Sequence, residues 1–364
     1  MPIYVLVVAI ILVASLTYLK QVNNAFEHNL EAQRRALEVS NKEQLVLNEE
    51  LYQQQEEILS QREFLERNNQ ELNRLNQKMA DNQAILKKAL EKLQTSEARV
   101  KQQNEQLRQR EVQITNSIRA AYTIQQSILP ENHKLHYNFS EYFVIYKPRD
   151  VVSGDFYWVD TFRNKVFVAA VDCTGHGVPG AFMSLIGNSL LNVIIKDWRL
   201  DHPHEVLAQL HEEVQTLLRQ KATGNSYGMD IALISIETLP KDQKRIQFAG
   251  AKSDLYYYDA GTSDLQVLRG TRRAIGGIQN EKLRFEKHTL MLPAGSVLYL
   301  GSDGLMDQNN AKRRKFGQKN LEKLLGEIAT KPLARQKLLL EAQLETHMQN
   351  TTQRDDILWL GLRL

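Results

Sequence analysis

The sequence predicts an α+β domain built on antiparallel sheets, preceded by a transmembrane helix and a long coiled coil. Three observations lead there. An uncharged apolar run occupies Ile3 to Leu19, a heptad repeat begins at Leu30, and short β-rich runs separated by turn residues follow Pro130. The composition changes abruptly at that proline: no Gly or Pro lies between Ile3 and Leu129, whereas all 18 glycines fall from Gly154 onward. The chain of 364 residues therefore divides into residues 1–20 as an anchor, 21–118 as a coiled-coil rod, 119–130 as a linker helix and 131–364 as a folded domain.

The apolar run is 17 residues long, about 26 Å as a helix and at the short limit for a bilayer. A secretory signal peptide competes with this reading, but no basic region precedes the run and no A-x-A cleavage site follows it. Lys20, Arg34 and Arg35 are the first cations after it. The positive-inside bias then predicts a single-pass protein of the inner (cytoplasmic) membrane with its C-terminal domain in the cytoplasm. Cys173 is the only cysteine, so no internal disulfide can form, in keeping with a reducing compartment. A net charge of +3 with dispersed basic residues gives no footprint for nucleic acid.

Every seventh residue from Leu30 reads Leu30, Leu37, Gln44, Leu51, Ile58, Leu65, Leu72, Met79, Leu86, Leu93, Val100, Leu107 and Ile114. A strict seven-residue repeat kept this long predicts a left-handed coiled coil and hence a homodimer. The second seam is poor, with Gln33, Ser40, Gln54, Gln61 and Asn68 among its members, which predicts a soft coil. A passive spacer and a signalling rod both fit this pattern.

After Pro130, the runs YFVIYKP, DFYWVDTF, KVFVAAVD, MDIALISIE, RIQFAGA, DLYYYDAG, DLQVLRG, SVLYLGSD and DILWLGLRL read as strands. Helical stretches are expected at 178–197, 204–221, 319–329 and 333–348, and turns such as DAGTSD favour antiparallel pairing. Asp155, Asp172, Asp303 and Asp355 each stand beside the end of an apolar run. Carboxylates so placed converge if the strand ends share one cleft, and an all-oxygen cluster suits Mg2+ or Mn2+.

The ordered segments IQQSILP, VVSGDFYWVD, VDCTGHGVPGAFM, GMDIALISIE, YLGSDGLMD and RDDILWLGL resemble the metal-dependent serine/threonine phosphatases of the PPM family, in the SpoIIE-like branch that includes the RsbU-type stress regulators. The resemblance covers about Tyr122 to Leu364. It implies a four-layer α-β-β-α sandwich with two divalent ions, Mn2+ or Mg2+, at one end between the sheets. It further implies that Asp172 bridges the ions, the Cys173 carbonyl binds one of them, Asp303 and Asp355 hold the other, Asp155 contacts the cluster directly or through water, and Asp356 supports it. The expected reaction is hydrolysis of phosphoserine or phosphothreonine on a signalling partner of the anti-sigma-factor antagonist type. The segment Ala120 to Pro130 resembles the helix that links regulatory modules to the catalytic domain in that branch.

Other residues admit two readings. His176 is either a general acid for the leaving oxygen or a residue that orients its loop. Arg149, six residues before Asp155, is a weak candidate for a phosphate contact. GHGVPG matches a dinucleotide-binding pattern, but Asp197, the following acid, ends an apparent helix instead of a second strand. His202, His204 and His211 are expected on the surface. The basic run KRRK, Lys312 to Lys315, is a solvated loop or a docking patch. The rival functional classes are a non-catalytic membrane scaffold with a phosphatase-like domain, disfavoured by retention of the four aspartates, and a membrane-bound nucleotide cyclase, disfavoured by their separation over four strand ends.

Overall fold

The computed structural model describes residues 2–240, 243–278 and 284–364. It divides into two compact units, Met1–Glu105 and Gln106–Leu364. Helix α1 runs Pro2–Ile128 and ends where Pro130 removes a backbone donor.

The first unit is the part of α1 up to Glu105. Pairs such as Arg62–Glu66 at 3.3 Å brace its surface at one-turn spacing. Its apolar seam faces solvent along its length: Leu37 is 63% exposed and Leu93 64%. Among the described residues, two helices are long and apolar enough to cross a membrane by length and composition. One is the N-terminal part of α1, and the other, Gly177–Asp197, is half buried within the second unit as a core helix.

In the second unit, two antiparallel sheets stack face to face. The first contains β1 (Tyr142–Lys147), β11 (Ile357–Arg363), β10 (Val297–Gly301), β6 (Leu255–Asp259) and β7 (Asp264–Leu268), in that spatial order. The second contains β2 (Phe156–Phe162), β3 (Lys165–Cys173), β4 (Gly228–Thr238), β5 (Lys244–Ala251) and β9 (His288–Leu292), with the two-residue β8 (Ile275–Gly276) paired to the start of β4. Side chains alternate between faces with period two. On β3, Val168 and Ala170 point into the layer between the sheets, where they meet Leu298, Leu300, Leu358 and Leu360. Phe167, Ala169 and Val171 point outward, beneath α3 (Gly177–Asn192) and α4 (Pro203–Leu217). Trp359 and Tyr299 face out of the other sheet and are covered by α7 (Gln318–Ile328) and α8 (Leu333–Met348). These three cores give the helix, sheet, sheet, helix layering.

Several details differ from the sequence reading. The helix expected at 178–197 ends as a π turn at Val193–Asp197. The one expected at 204–221 breaks where Arg219 adopts a left-handed conformation, φ 48°, and restarts as the short α5, Gln220–Thr223. Two more short helices, α2 (Asn132–Asn138) and α6 (Gly304–Asp307), and strands β8 and β9 have too few residues or too weak an alternation to be read from pattern. His211 is buried instead of exposed, because its Nδ1 accepts the Gly276 N–H at 3.0 Å and ties β8 to α4.

Trp359 is fully buried, yet its indole N–H has no partner. Trp359→Ala should therefore cost about 3–5 kcal/mol by cavity formation. Trp359→Phe, which also removes the unpaired donor, should cost roughly 1 kcal/mol. Urea unfolding followed by far-UV circular dichroism separates the two.

Candidate metal centre

The second unit gathers five aspartates at one end of the sandwich. Asp155 precedes β2, Asp172 is the penultimate residue of β3, Asp303 follows β10, and Asp355 and Asp356 precede β11. Because β2 runs against β3 and β10 against β11, the start of one strand lies beside the end of its neighbour. Asp172, Cys173, His176, Asp303 and Asp355 line one cleft of about 500 Å3. Asp155 lies beneath it, 2% exposed.

Glycines allow the loops to close over these positions. A Cβ on Gly154 would stand 2.5 Å from the Gly175 carbonyl oxygen and 3.0 Å from that of Cys173. Gly175 and Gly177 have φ of +91° and +64°, a region that glycine enters without steric cost. The Asp356 carboxylate accepts the backbone N–H groups of Arg149 and Gly154, each at 2.7 Å, and so pins the loop that carries Asp155. Gln125, 1% exposed near the end of α1, grips the same loop. Its Nε2 donates to the Ser153 carbonyl at 2.6 Å and to Ser184 Oγ at 2.9 Å, and its Oε1 accepts the Ser153 N–H at 3.0 Å.

The electrostatics are those of crowded like charges. Burial, then neighbouring carboxylates, push Asp155 and Asp172 well above the ordinary aspartate range. Asp303 is raised by burial and by Asp307 and Asp355, and it lies within hydrogen-bond reach of Asp172. Asp230, on β4 directly opposite Asp172 in register, is pushed up to about 6, chiefly by burial. Asp155 Oδ2 is buried with no hydrogen-bond partner.

Among the described residues, no group of three or more His, Cys, Asp and Glu side chains is already drawn in around a single point as a metal cage. The donor set nevertheless fits hard divalent cations. It is all oxygen, it carries excess negative charge, and it includes a buried carboxylate oxygen with nothing to bind. Asp155, Asp172, Asp303, Asp355 and the Cys173 carbonyl are the groups placed to hold such ions, and Asp230 adds a carboxylate that the sequence reading passed over.

His176 lines the cleft, and its Nδ1 lies 2.8 Å from Asp150 Oδ2. An ionised carboxylate only accepts, so Nδ1 carries the hydrogen and Nε2 is left for other partners. Arg149 is exposed, its backbone N–H is bound to Asp356, and its side chain is not among those lining the cleft. The cations that do line it are Lys252, Arg272 and Arg273. Lys315 of the KRRK run pairs with Asp307 at 2.6 Å, outside the cleft.

Comparison with known families gives a match over residues 163–364 to the model described as Stage II sporulation protein E (SpoIIE). The chain belongs to the SpoIIE family. Its members are PP2C-type serine/threonine phosphatases of the PPM class, and this chain is one of them. Among solved structures it is similar to the SiaA-PP2C domain of Pseudomonas aeruginosa, with 31% identity and a TM-score of 0.62, over 70% of this chain and 98% of that one. It also matches a structure of the PP2C phosphatase domain and a regulatory-domain fragment of SpoIIE from Bacillus subtilis, with 16% identity and a TM-score of 0.49, over 62% and 63% of the two chains. Comparison with curated proteins gives no match.

The raised carboxylates of this SpoIIE-family domain set a pH dependence. An unfolded aspartate ionises near 3.8, whereas Asp230 holds its proton in the folded state up to about 6. Between those values the unfolded chain binds fewer protons, so stability is fully present below the window and is lost as pH rises through 6. Asp155, Asp172 and Asp303 act in the same sense. Metal-free protein should therefore melt at a higher temperature at pH 5.5 than at pH 7.5, and Asp230→Asn should recover roughly 1–3 kcal/mol at the higher pH. Mn2+ should stabilise more at pH 7.5 than at pH 5.5. All three tryptophans, Trp158, Trp198 and Trp359, lie in the second unit, so tryptophan fluorescence follows that unit's melting.

Proposed function

We propose that this chain is a membrane-anchored, dimeric, metal-dependent phosphatase that removes phosphate from serine or threonine on a signalling protein of the anti-sigma-factor antagonist type. The convergence of Asp172, Asp303 and Asp355 from three strand ends on one cleft, with the buried Asp155 close enough to feel their charge, carries the catalytic reading. The anchor is supported by the uncharged N-terminal run, and the dimer by a heptad seam whose members are exposed in the single chain, since such a stripe is stable only when covered. The membrane is the inner one, and the catalytic domain faces the cytoplasm.

Two Mn2+ or Mg2+ ions held by Asp155, Asp172, the Cys173 carbonyl, Asp303 and Asp355 would supply an activated water and neutralise the phosphate charge. The protein's own groups do the rest. Asp356 and Gln125 hold the Asp155 loop against the end of the sandwich. Asp150 fixes the His176 ring through Nδ1, so that in the imidazolium form the second proton, on Nε2, can pass to the departing seryl or threonyl oxygen and leave a neutral ring. No side chain need form a bond to phosphorus, so the reaction is direct hydrolysis. Asp172→Asn or Asp303→Asn should lower Mn2+-dependent hydrolysis of a phosphoserine peptide by several orders of magnitude while the tryptophan-monitored fold persists. Activity close to wild type in either variant refutes this site.

Gln125 is the point at which α1 grips the Asp155 loop, which supports a regulatory role for the rod. In the full-length chain, four residues inserted after Lys101 add a stutter that rotates the downstream helix relative to the upstream seam, whereas seven restore the phase. The four-residue insertion should shift phosphatase activity several-fold and the seven-residue insertion should not. Equal activities in chains shown by light scattering to dimerise mark the rod as a passive spacer.

A further inference from the structure

The floor of the cleft is acidic, but one of its walls is cationic. Lys252, Arg272 and Arg273 line the same cavity as Asp172, Asp303 and Asp355, and all three are exposed at its rim. They stand on backbone that is firmly built. Lys252 has a left-handed φ of 51°, a conformation that costs about 1 kcal/mol or more for a residue other than glycine. Its N–H donates to the Thr271 carbonyl at 2.7 Å, and the Thr271 N–H donates to Gly250 at 2.8 Å. Gly250 and Gly270 pack so closely that a Cβ on Gly270 would lie 3.0 Å from Gly250 Cα. Beyond Arg273, Ile275 and Gly276 pair with Met229 and Gly228. The segment from Thr271 to Gly276 is thus strapped across the ends of β4 and β5.

Arg269 provides the contrast. It is taken up by structure, with Asp254 at 2.6 Å and Glu322 at 3.7 Å. Arg272 and Arg273, three and four residues on, have no carboxylate at ion-pair distance among the described residues, and neither does Lys252, whose charge acts on the nearby Asp230. Three cations on a wall held by these backbone contacts, with no carboxylate at ion-pair distance among the described residues, form a local attraction for acidic groups at the cleft mouth.

We infer that Lys252, Arg272 and Arg273 form a specificity wall that selects phosphorylated sites flanked by acidic residues. This rests on the phosphatase reading above and names the substrate class for that site. Exposed charge contacts contribute a few-fold each, and several together give on the order of tenfold.

The test uses the full-length chain in detergent with Mn2+ and two phosphoserine peptides, identical except for Asp or Ala on either side of the phosphorylated residue. The readout is the ratio of their kcat/KM values. The wild type should favour the acidic peptide by about tenfold, with the ratio falling as salt rises. Arg272→Ala/Arg273→Ala should bring the ratio close to one, and Arg272→Glu/Arg273→Glu should reverse it in favour of a Lys-flanked peptide. A wild-type ratio near one overturns the inference, as does a double-alanine variant that keeps the wild-type ratio or loses both peptides equally. Fluorescence anisotropy of the same peptides, labelled and titrated onto metal-free protein, reads the wall independently of turnover. If the wild type hydrolyses neither peptide nor p-nitrophenyl phosphate with Mn2+ or Mg2+, the phosphatase reading fails, and equal anisotropy affinities then overturn the wall as well.

Discussion

The constraint on which the rest of the domain depends is the concentration of negative charge at one end of the sandwich. Carboxylates gathered in a partly dry site raise one another's energy, and the fold must hold them against that repulsion. It does so with backbone. Asp356 is satisfied by two N–H groups, from Arg149 and Gly154. Glycines at 154 and 180 let the Asp155 loop, the Cys173–Gly175 turn and the start of α3 approach to distances that any side chain would forbid. The stability of this end is thus borrowed from the three apolar cores behind it, where Phe156, Val168, Ile234 and Trp359 are fully or almost fully buried. A cluster that is costly without its counter-ions and favourable with them couples occupancy of the site to order in the loops around it.

The same arrangement separates two jobs. The floor is anionic, whereas the rim facing it is cationic and strapped to the ends of β4 and β5. Gln125 adds a third element, since it hydrogen-bonds Ser153, two residues before Asp155, from the last turns of α1. The aspartates, the cationic rim and Gln125 each reach the cleft region on a different piece of backbone.

Much of this was legible in the sequence, for identifiable reasons. Asp155, Asp172, Asp303 and Asp355 stand next to apolar runs beside Gly or at a chain reversal, so their position at strand ends follows from pattern. Asp230 does not, because it lies inside the run MDIALISIE and passes for a solvent-facing member of the alternation. Only the register that pairs it with Asp172 places it at the site. Lys252, Arg272 and Arg273 were hidden for a similar reason: their convergence depends on the close approach of Gly250 and Gly270, a long-range contact without periodicity. Gln125 resembles any polar residue of a helix that ends at a proline, and its burial comes from the loop docked on it. His211 was misplaced because a histidine among glutamates on α4 looks solvated, whereas β8 covers it.

Cys173 has one consequence for redox chemistry. It is the only cysteine, it is buried, and burial together with the carboxylates of Asp172 and Asp155 pushes its thiol well above the ordinary range. The thiolate is the form that peroxide and alkylating reagents attack, and here it is both scarce and shielded. Oxidants that act on an exposed cysteine thiolate therefore meet a buried, protonated thiol here. A cysteine introduced on the surface would be the only reactive thiol in the chain, free for a spectroscopic probe without removal of the native one.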